Sequence, residues 1–362
     1  MRLLKGVDLS MLGELERLGA KYRDGGEKKD IFAVLKSYGV NAMRLRIWND
    51  PYDADGNPYG GGTNDFPVTL GLAKRALASG MRFVLNAHYS DFWTDPGKQC
   101  KPKAWRGFSG DRLKREVYAY TRILLEKFSS QGVKPDMVQI GNELTYGFLW
   151  EDGRLSGENP NYAGMFTFLA AGIQAVRDFD PAVKIILHLD NGGNHELYRE
   201  WFGAARGFGL DYDVIGLSYY PFWHGTLDEL AANMKDLSVR YGKELIIAET
   251  SYGYTTEAME GCRHVFTQEL ADIGGFPATK EGQSAFLWEL MERIKAVPDH
   301  KCLGFVYWCP EWIPVNHSTW ASEAGRAYIK DESEGGNSWA NQSVFDASGN
   351  PLPVLTAIRD FV

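Results

Sequence analysis

Residues 136–143 read Asp-Met-Val-Gln-Ile-Gly-Asn-Glu, a short apolar run that ends in a carboxylate. Residues 245–249 repeat this arrangement as Leu-Ile-Ile-Ala-Glu. Short apolar runs bounded by turn residues are typical of buried parallel strands, and the C-terminal ends of such strands carry the chemistry of α/β barrels. The two runs therefore predict strands that bring Glu143 and Glu249 to the same face of a barrel.

Apolar runs and helix-like segments alternate along the whole chain, as βα units around a parallel sheet do. Eight strands are predicted, at 3–9, 41–48, 82–88, 136–141, 184–189, 214–219, 244–248 and 303–308. Seven helices are predicted between them, at 28–37, 68–78, 112–130, 163–179, 194–207, 227–241 and 282–296. The predicted fold is α/β, a (β/α)8 TIM barrel formed by residues 1–362 as a single domain with long βα loops. A doubly wound open sheet is the alternative, but the Gly-x-Gly-x-x-Gly turn that it favours after the first strand is absent.

The composition restricts the classes of function. A net charge of −8 argues against a nucleic-acid partner, because such proteins carry a basic footprint. No apolar run reaches the roughly 18 residues of a membrane helix, so no membrane partner is predicted either. Aromatic residues make up 13% of the chain, which favours a sugar-stacking cleft over an unusually aromatic core. We expect a monomer, cytoplasmic if the sequence is complete as written and extracellular if a signal peptide has been removed.

No metal or cofactor is predicted from the residue spacing. The four cysteines form no CxxC pair, and the seven histidines form no His-Glu-x-x-His motif. Cys302 and Cys309 bracket a predicted strand and are interpreted as core thiols. Residues 53–57, Asp-Ala-Asp-Gly-Asn, lack the spacing and the terminal Glu of an EF-hand, so we interpret them as a turn.

The two strand-end glutamates are the candidate catalytic residues. An arbitrary glutamate in this position more often caps a helix or pairs with a surface lysine, but Glu143 and Glu249 occupy equivalent places three strands apart. Two carboxyl groups that face each other at about 5 Å are the apparatus of retaining glycosidases: one attacks the anomeric carbon and the other protonates the leaving oxygen. The acid partner needs a raised pKa, which a nearby carboxylate and partial burial supply.

Polar residues also end the other predicted strands. Arg44 and Arg46 alternate in the second strand, so both side chains point the same way, and two guanidinium groups inside a barrel require carboxylate partners. Any one strand-end residue is more often structural, but their recurrence indicates a binding groove. The groove candidates are His88, Asp91, His188, Asp190, Tyr219, Tyr220 and Trp308.

Five segments, 6–10, 44–51, 88–96, 141–143 and 218–222, resemble glycoside hydrolase family 53, the endo-β-1,4-galactanases. The resemblance extends from the first strand to Trp312. It implies a (β/α)8 barrel of the large retaining clan that cleaves internal β-1,4-galactosidic bonds in the galactan and arabinogalactan side chains of pectin. It further implies that Glu143 is the acid/base and Glu249 the nucleophile. Asn142 would contact the sugar 2-hydroxyl, Arg44 would support the nucleophile, and Tyr220 would be its hydroxyl partner.

The same resemblance implies a substrate groove lined by His88, Asp91, Trp93, His188, Asp190, Trp308 and Trp312. Several bacterial members bind calcium in the loop after the seventh strand, but residues 251–279 show no dense run of Asp, Asn and His, so calcium is not expected. Two alternatives stay open: a hydrolase of the same clan that acts on another β-linked glycan, and a non-catalytic carbohydrate-binding barrel.

Overall fold

The computed structural model describes residues 3–157 and 160–362. Eight parallel strands form a closed barrel in which each strand pairs with the next and the last pairs with the first, from Leu4 opposite Gly304 to Asp8 opposite Trp308. The predicted (β/α)8 barrel is therefore confirmed. The strands are β1 (Leu4–Asp8), β2 (Ala42–Ile47), β3 (Arg82–Ala87), β4 (Met137–Ile140), β5 (Lys184–Leu189), β6 (Val214–Ser218), β7 (Glu244–Thr250) and β8 (Cys302–Trp308).

Helices between the strands cover the outside of the barrel. They are α1 (Ile31–Ser37), α2 (Phe66–Ala78), α3 (Gly110–Ser130), α4 (Tyr162–Phe179), α5 (His195–Phe208), α6 (Leu227–Tyr241), α7 (Lys280–Lys295) and α8 (Pro353–Asp360). The first seven confirm the predicted helices, with starting residues that differ by up to three. A side-chain cap explains the largest difference: Asp30 accepts from the backbone N–H of Phe32, so α1 begins at Ile31 instead of residue 28.

Several short elements were not predicted. They are helices at Leu12–Arg17, Gln268–Gly274 and Glu323–Ile329, the helix α8, and a two-stranded hairpin of Arg23–Asp24 with Glu27–Lys28. Most contain fewer than two full turns or only two residues, which is too short for hydrophobic periodicity to show. The turn interpretation of residues 53–57 is confirmed, because the Asp53 carboxylate accepts from the backbone N–H groups of Asp55 and Asn57.

The barrel interior changes character along its axis. An apolar layer fills the N-terminal half, with Leu4, Ala42, Val84, Met137, Ile186, Val214 and Ile246 among its members. Side chains two residues further along a strand point to the same side, so Arg44 lies directly above Ala42 in this interior. A buried polar layer therefore rests on the apolar one, and it forms the floor of the C-terminal face.

The described residues also bear on the membrane and metal predictions. Among them, no helix is both long and apolar enough to cross a membrane. Within residues 3–157 and 160–362, no group of three or more His, Cys, Asp and Glu side chains is arranged to hold a metal ion. Cys302 and Cys309 are both buried, which confirms them as core thiols.

Candidate active site

The two candidate carboxyl groups line one cleft of about 390 Å³ at the C-terminal face of the barrel. Glu143 follows β4 in a left-handed conformation (φ 47°), directly after Gly141 and Asn142. Glu249 is the penultimate residue of β7. Their exposed fractions are only 9% and 8%, respectively. The same cleft therefore holds two nearly buried carboxyl groups, and their neighbours determine what each can do.

Glu249 lies against a cation. Arg44 Nη2 is 2.8 Å from Glu249 Oε1, and the Tyr220 hydroxyl lies at 3.4 Å from Oε2, the long limit of a hydrogen bond. Burial raises the pKa of Glu249, but the charge and the hydrogen bond of Arg44 oppose this by stabilising the carboxylate. Glu249 is thus the carboxyl group of the cleft that is held towards its ionised, nucleophilic form.

Glu143 has no such cation. Its Oε1 accepts a hydrogen bond of 2.6 Å from the Ser218 hydroxyl, and none of the ion pairs between described residues includes it. Burial raises the pKa of Glu143 well above its ordinary value, and the negative charges of Glu249 and then Asp190 raise it further. These surroundings favour the protonated form of the carboxyl group, in which it is able to act as an acid.

The acidic partner expected for the buried arginines is Asp8, at the end of β1. Its Oδ2 is 3.0 Å from Arg44 Nη1, and its Oδ1 is 3.5 Å from Arg46 Nη1. Asp8 was not among the predicted site residues. The signal that identifies it is its register, because Asp8 pairs with Arg44 across the β1–β2 ladder. The two side chains therefore meet inside the barrel.

Arg46 has a different role from Arg44. Its guanidinium carbon lies 4.2 Å from the centroid of the Trp93 ring and 6.0 Å from that of Trp308, and its Nη2 donates to the Gly61 carbonyl at 2.9 Å. Cation–π contacts of this kind hold aromatic rings in place. Arg46 thus supports Trp93 and Trp308, two of the indole rings that line the cleft and form its aromatic wall. It makes no hydrogen bond to either glutamate.

Three predicted polar residues belong to the floor. The Asn142 amide is held at both ends, since its Oδ1 accepts from Arg44 Nη2 at 2.9 Å and its Nδ2 donates to the Thr94 carbonyl at 2.9 Å. His88 lines the cleft, whereas His188 lies beneath it and contacts Ser218. Burial, and then the positive charge of Arg44, lower the pKa of both histidines, so both rings are neutral.

Asp190 lines the cleft as predicted, close to Glu143. The Thr145 hydroxyl donates to it, and Asn191 Nδ2 donates to its Oδ2 at 2.5 Å. Thr145 belongs to the single turn that follows Glu143, so Asp190 ties the acid-bearing loop to the end of β5. The carboxylate of Asp190 therefore supplies negative charge near Glu143.

Besides His188, two predicted groove residues lie outside the lining of the cleft, Tyr219 and Asp91. Ser218 points into the barrel, so Tyr219 points outward, where its hydroxyl donates to the Gly225 carbonyl at 2.9 Å and its ring packs on Phe286. Only Tyr220 enters the cleft. Asp91 does not line the cleft either, because its carboxylate accepts from the Lys103 backbone N–H at 2.6 Å and closes a loop. Burial raises the pKa of Asp91 to about 6.

The aromatic wall is larger than the sequence predicted. Trp93, Trp308 and Trp312 line the cleft as expected. Three further tryptophans of this wall were not predicted, Trp223, Trp320 and Trp339, and neither were three polar residues that also line the cleft, Asp95, Lys98 and His224. Trp223 and His224 lie in the same segment as Tyr220, a signal that was present in the sequence. Trp320 and Trp339 lie in the long loop after β8, whose path over the cleft has no sequence pattern.

The fold and this site define a glycoside hydrolase: a (β/α)8 barrel with a carboxyl pair at the C-terminal face, set in an aromatic cleft. The model of glycosyl hydrolase family 53 matches residues 4–358, and the chain belongs to this family.

Named relatives and a solved structure agree with this assignment. The chain is 38% identical to an endo-beta-1,4-galactanase of Bacillus subtilis (strain 168), over 98% of this chain and 85% of that protein. It is 34% identical to an arabinogalactan endo-beta-1,4-galactanase of Cellvibrio japonicus (strain Ueda107), over 97% of this chain and 89% of that protein. The solved Ignisphaera aggregans GH53 catalytic domain superimposes with a TM-score of 0.91 at 38% identity, covering 99% of this chain and 95% of that one.

Proposed function

We propose that this chain is a retaining endo-β-1,4-galactanase that cleaves internal bonds of galactan and arabinogalactan, with Glu249 as nucleophile and Glu143 as acid/base. The observation that carries the proposal is the contrast between the two carboxyl groups: Arg44 favours the ionised form of Glu249, while burial without a cation favours the protonated form of Glu143. The names of the relatives supply the substrate class.

In the first step, the Glu249 carboxylate attacks the anomeric carbon while Glu143 gives its proton to the departing glycosidic oxygen. A covalent galactosyl–enzyme ester and a shortened chain result. Asn142 Nδ2 keeps one hydrogen after its bond to the Thr94 carbonyl, and we assign this hydrogen to the sugar 2-hydroxyl. Arg44 and the Tyr220 hydroxyl hold the attacking carboxylate in place.

In the second step, Glu143 is a carboxylate and takes a proton from water as the water oxygen attacks the anomeric carbon. The ester bond to Glu249 breaks, its electron pair returns to the carboxylate, and the sugar is released with its original β-configuration. Both residues then have their starting protonation states.

A row of indole rings suits an internal position on a polymer. The ring centroids of Trp93 and Trp308 are 6.1 Å apart, those of Trp308 and Trp339 are 4.6 Å apart, and those of Trp339 and Trp223 are 6.3 Å apart. Trp223, at one end of this row, is 46% exposed. Flat aromatic faces pack on the C–H faces of pyranose rings, so this row offers apolar surface to a sugar chain that lies in the cleft.

The test is reducing-end release from linear β-1,4-galactan, with β-mannan and β-glucan in parallel, by the wild type and by Glu249→Gln. We expect release from galactan alone and its loss in the variant. Proton NMR of the first products should show the β-anomer. A folded wild type that is inactive on galactan would overturn the substrate, and initial release of the α-anomer would overturn the retaining mechanism.

A further inference from the structure

A chain of hydrogen bonds runs beneath the cleft from Arg44 to Glu143, through Gln139, His188 and Ser218. Its first link is Arg44 Nε to Gln139 Oε1 at 3.1 Å. A guanidinium has only donors and stays protonated, so it requires the amide oxygen of Gln139 on its side. The amide nitrogen of Gln139 consequently faces the opposite way and has two hydrogens to donate. One reaches the Gly141 carbonyl at 2.9 Å, and the other faces His188 Nδ1 at 3.0 Å and Asn142 Oδ1 at 3.1 Å.

The orientation of Gln139 determines the tautomer of His188. An amide nitrogen can only donate, so Nδ1 of His188 accepts and carries no proton. The ring is fully buried and neutral, because burial and the charge of Arg44 lower its pKa. Its one proton therefore resides on Nε2, which lies 2.9 Å from Ser218 Oγ and donates to it.

One contact favours the other tautomer, since His188 Nδ1 is also 3.2 Å from Asn142 Oδ1. A proton on Nδ1 would, however, point two donors at each other across the shorter 3.0 Å contact with Gln139 Nε2. Asn142 Oδ1 needs no further donor, because Arg44 Nη2 already donates to it at 2.9 Å and Asn86 Nδ2 at 3.2 Å. The orientation that Arg44 imposes on Gln139 therefore determines the tautomer of His188.

The last link reaches the candidate acid. Since Ser218 Oγ accepts from His188, its own hydrogen is free to donate, and it does so to Glu143 Oε1 at 2.6 Å. Within residues 3–157 and 160–362, the other oxygen of this carboxyl group, Oε2, makes no hydrogen bond, and Glu143 lines the cleft. The two oxygens of Glu143 are thus inequivalent, and only Oε2 is left to hold a proton.

We infer that Ser218 and His188 are positioning residues that keep Glu143 Oε1 as an acceptor, so that the transferable proton is carried on Oε2 at the cleft. The inference rests on the proposed role of Glu143 as acid/base. Arg44 then acts on both carboxyl groups, because the residue that supports the nucleophile also sets the direction of the chain that orients the acid.

The first test is Ser218→Ala. We expect kcat on galactan to fall roughly tenfold, a part of the roughly 10²- to 10⁴-fold that a positioned general acid supplies. Ser218 stabilises the carboxylate form and lowers the pKa of Glu143, so its removal should move the basic limb of the kcat/KM profile to higher pH. Ser251→Ala is the control, because it removes another buried strand-end hydroxyl, one whose partner is Gln342. A loss of rate without a shift of the basic limb would overturn the inference.

A substrate with a good leaving group separates proton donation from other defects. An aryl β-galactobioside with a dinitrophenolate leaving group needs no proton in its first step. Ser218→Ala should therefore keep the wild-type kcat/KM on this substrate while losing activity on galactan. Equal losses on both substrates would show that Ser218 acts through the general structure of the site, and this result would overturn the inference.

The tautomer of His188 is measured directly by the ¹⁵N chemical shifts of its ring, assigned as the signals that disappear in His188→Gln. The inference requires protonated Nε2 and unprotonated Nδ1, and a proton on Nδ1 would overturn it. The proposed function fails separately: if Glu143→Gln keeps wild-type activity on galactan, Glu143 is not the acid. If that variant is inactive but Ser218→Ala behaves as the wild type, only the positioning roles are wrong.

Discussion

Glu143 and Glu249 lie at the C-terminal ends of apolar strands and are almost equally buried, but their surroundings are opposite. Glu249 lies against Arg44, which is held by Asp8, so residues of β1 and β2 act on it. Glu143 lies against Ser218 and near Asp190, so residues from the ends of β6 and β5 act on it. Burial raises the pKa of both carboxyl groups, and the presence or absence of a cation decides which one ionises more readily.

The largest effect comes from removing each carboxylate. Glu249→Ala and Glu143→Ala should each lower kcat on galactan by on the order of 10⁴-fold, as loss of one member of a catalytic unit does. Azide distinguishes the two roles when an activated aryl galactoside is the substrate. In Glu249→Ala, azide replaces the nucleophile and should give the α-galactosyl azide, whereas in Glu143→Ala it should attack the covalent intermediate and give the β-azide. NMR of the products identifies them, and exchanged anomers would reverse our assignment of the two glutamates.

The next largest effect is expected from removing Arg44, the cation beside Glu249. Arg44→Gln leaves Glu249 buried without its ion-pair partner and leaves Asp8 with Arg46 alone, which should reduce the free energy of unfolding by roughly 3–5 kcal/mol, measured by urea denaturation. Because Arg44 favours the carboxylate form of Glu249, its loss should also raise the pKa of that group and move the acidic limb of the kcat profile to higher pH. An acidic limb in its wild-type position would show that Arg44 does not control the ionisation of Glu249.

Two adjacent tyrosines test whether a single hydroxyl group beside Glu249 contributes to the rate. Tyr220→Phe removes the hydroxyl beside Glu249 Oε2 and should lower kcat by roughly tenfold, the value of one hydrogen bond to a charged group. Tyr219→Phe is its matched control, because that hydroxyl donates to the Gly225 carbonyl on the outer side of the barrel. The control should keep wild-type kcat and lose only about 1 kcal/mol of stability. Similar kcat values for the two variants would show that the Tyr220 hydroxyl does not support Glu249.

The smallest effect concerns the charge near Glu143. Asp190→Asn keeps the shape and an acceptor for Thr145 but removes the negative charge that raises the pKa of Glu143. The pKa of Glu143 should fall, so the basic limb of the kcat/KM profile should move to lower pH. Asp91→Asn provides the control, since it neutralises another buried carboxyl group, one outside the cleft. A basic limb that moves alike in both variants, or in neither, would contradict the role given to Asp190.

The sequence alone predicted the barrel and both glutamates, since these depend on local patterns. A buried parallel strand is a continuous apolar run, and a polar residue at its C-terminal end emerges at one known face of the fold. The alternation within β2 predicted that Arg44 and Arg46 share a side, and the structure places both in the interior with Asp8. All eight strands were predictable for this reason.

Only the tertiary structure decided the contacts between strands and the direction of side chains beyond strand ends. Asp8 meets Arg44 through the ladder register, and Ser218 meets Glu143 across β4 and β6, pairings separated by 36 and 75 residues in the chain. Tyr219 and Asp91 lie away from the cleft, because the direction of a side chain at the end of a strand depends on where the ladder stops and how the loop turns. Trp320 and Trp339 reach the cleft along a loop without periodicity. Local patterns specify which element forms, whereas the partner of a side chain is set by the packing of distant segments.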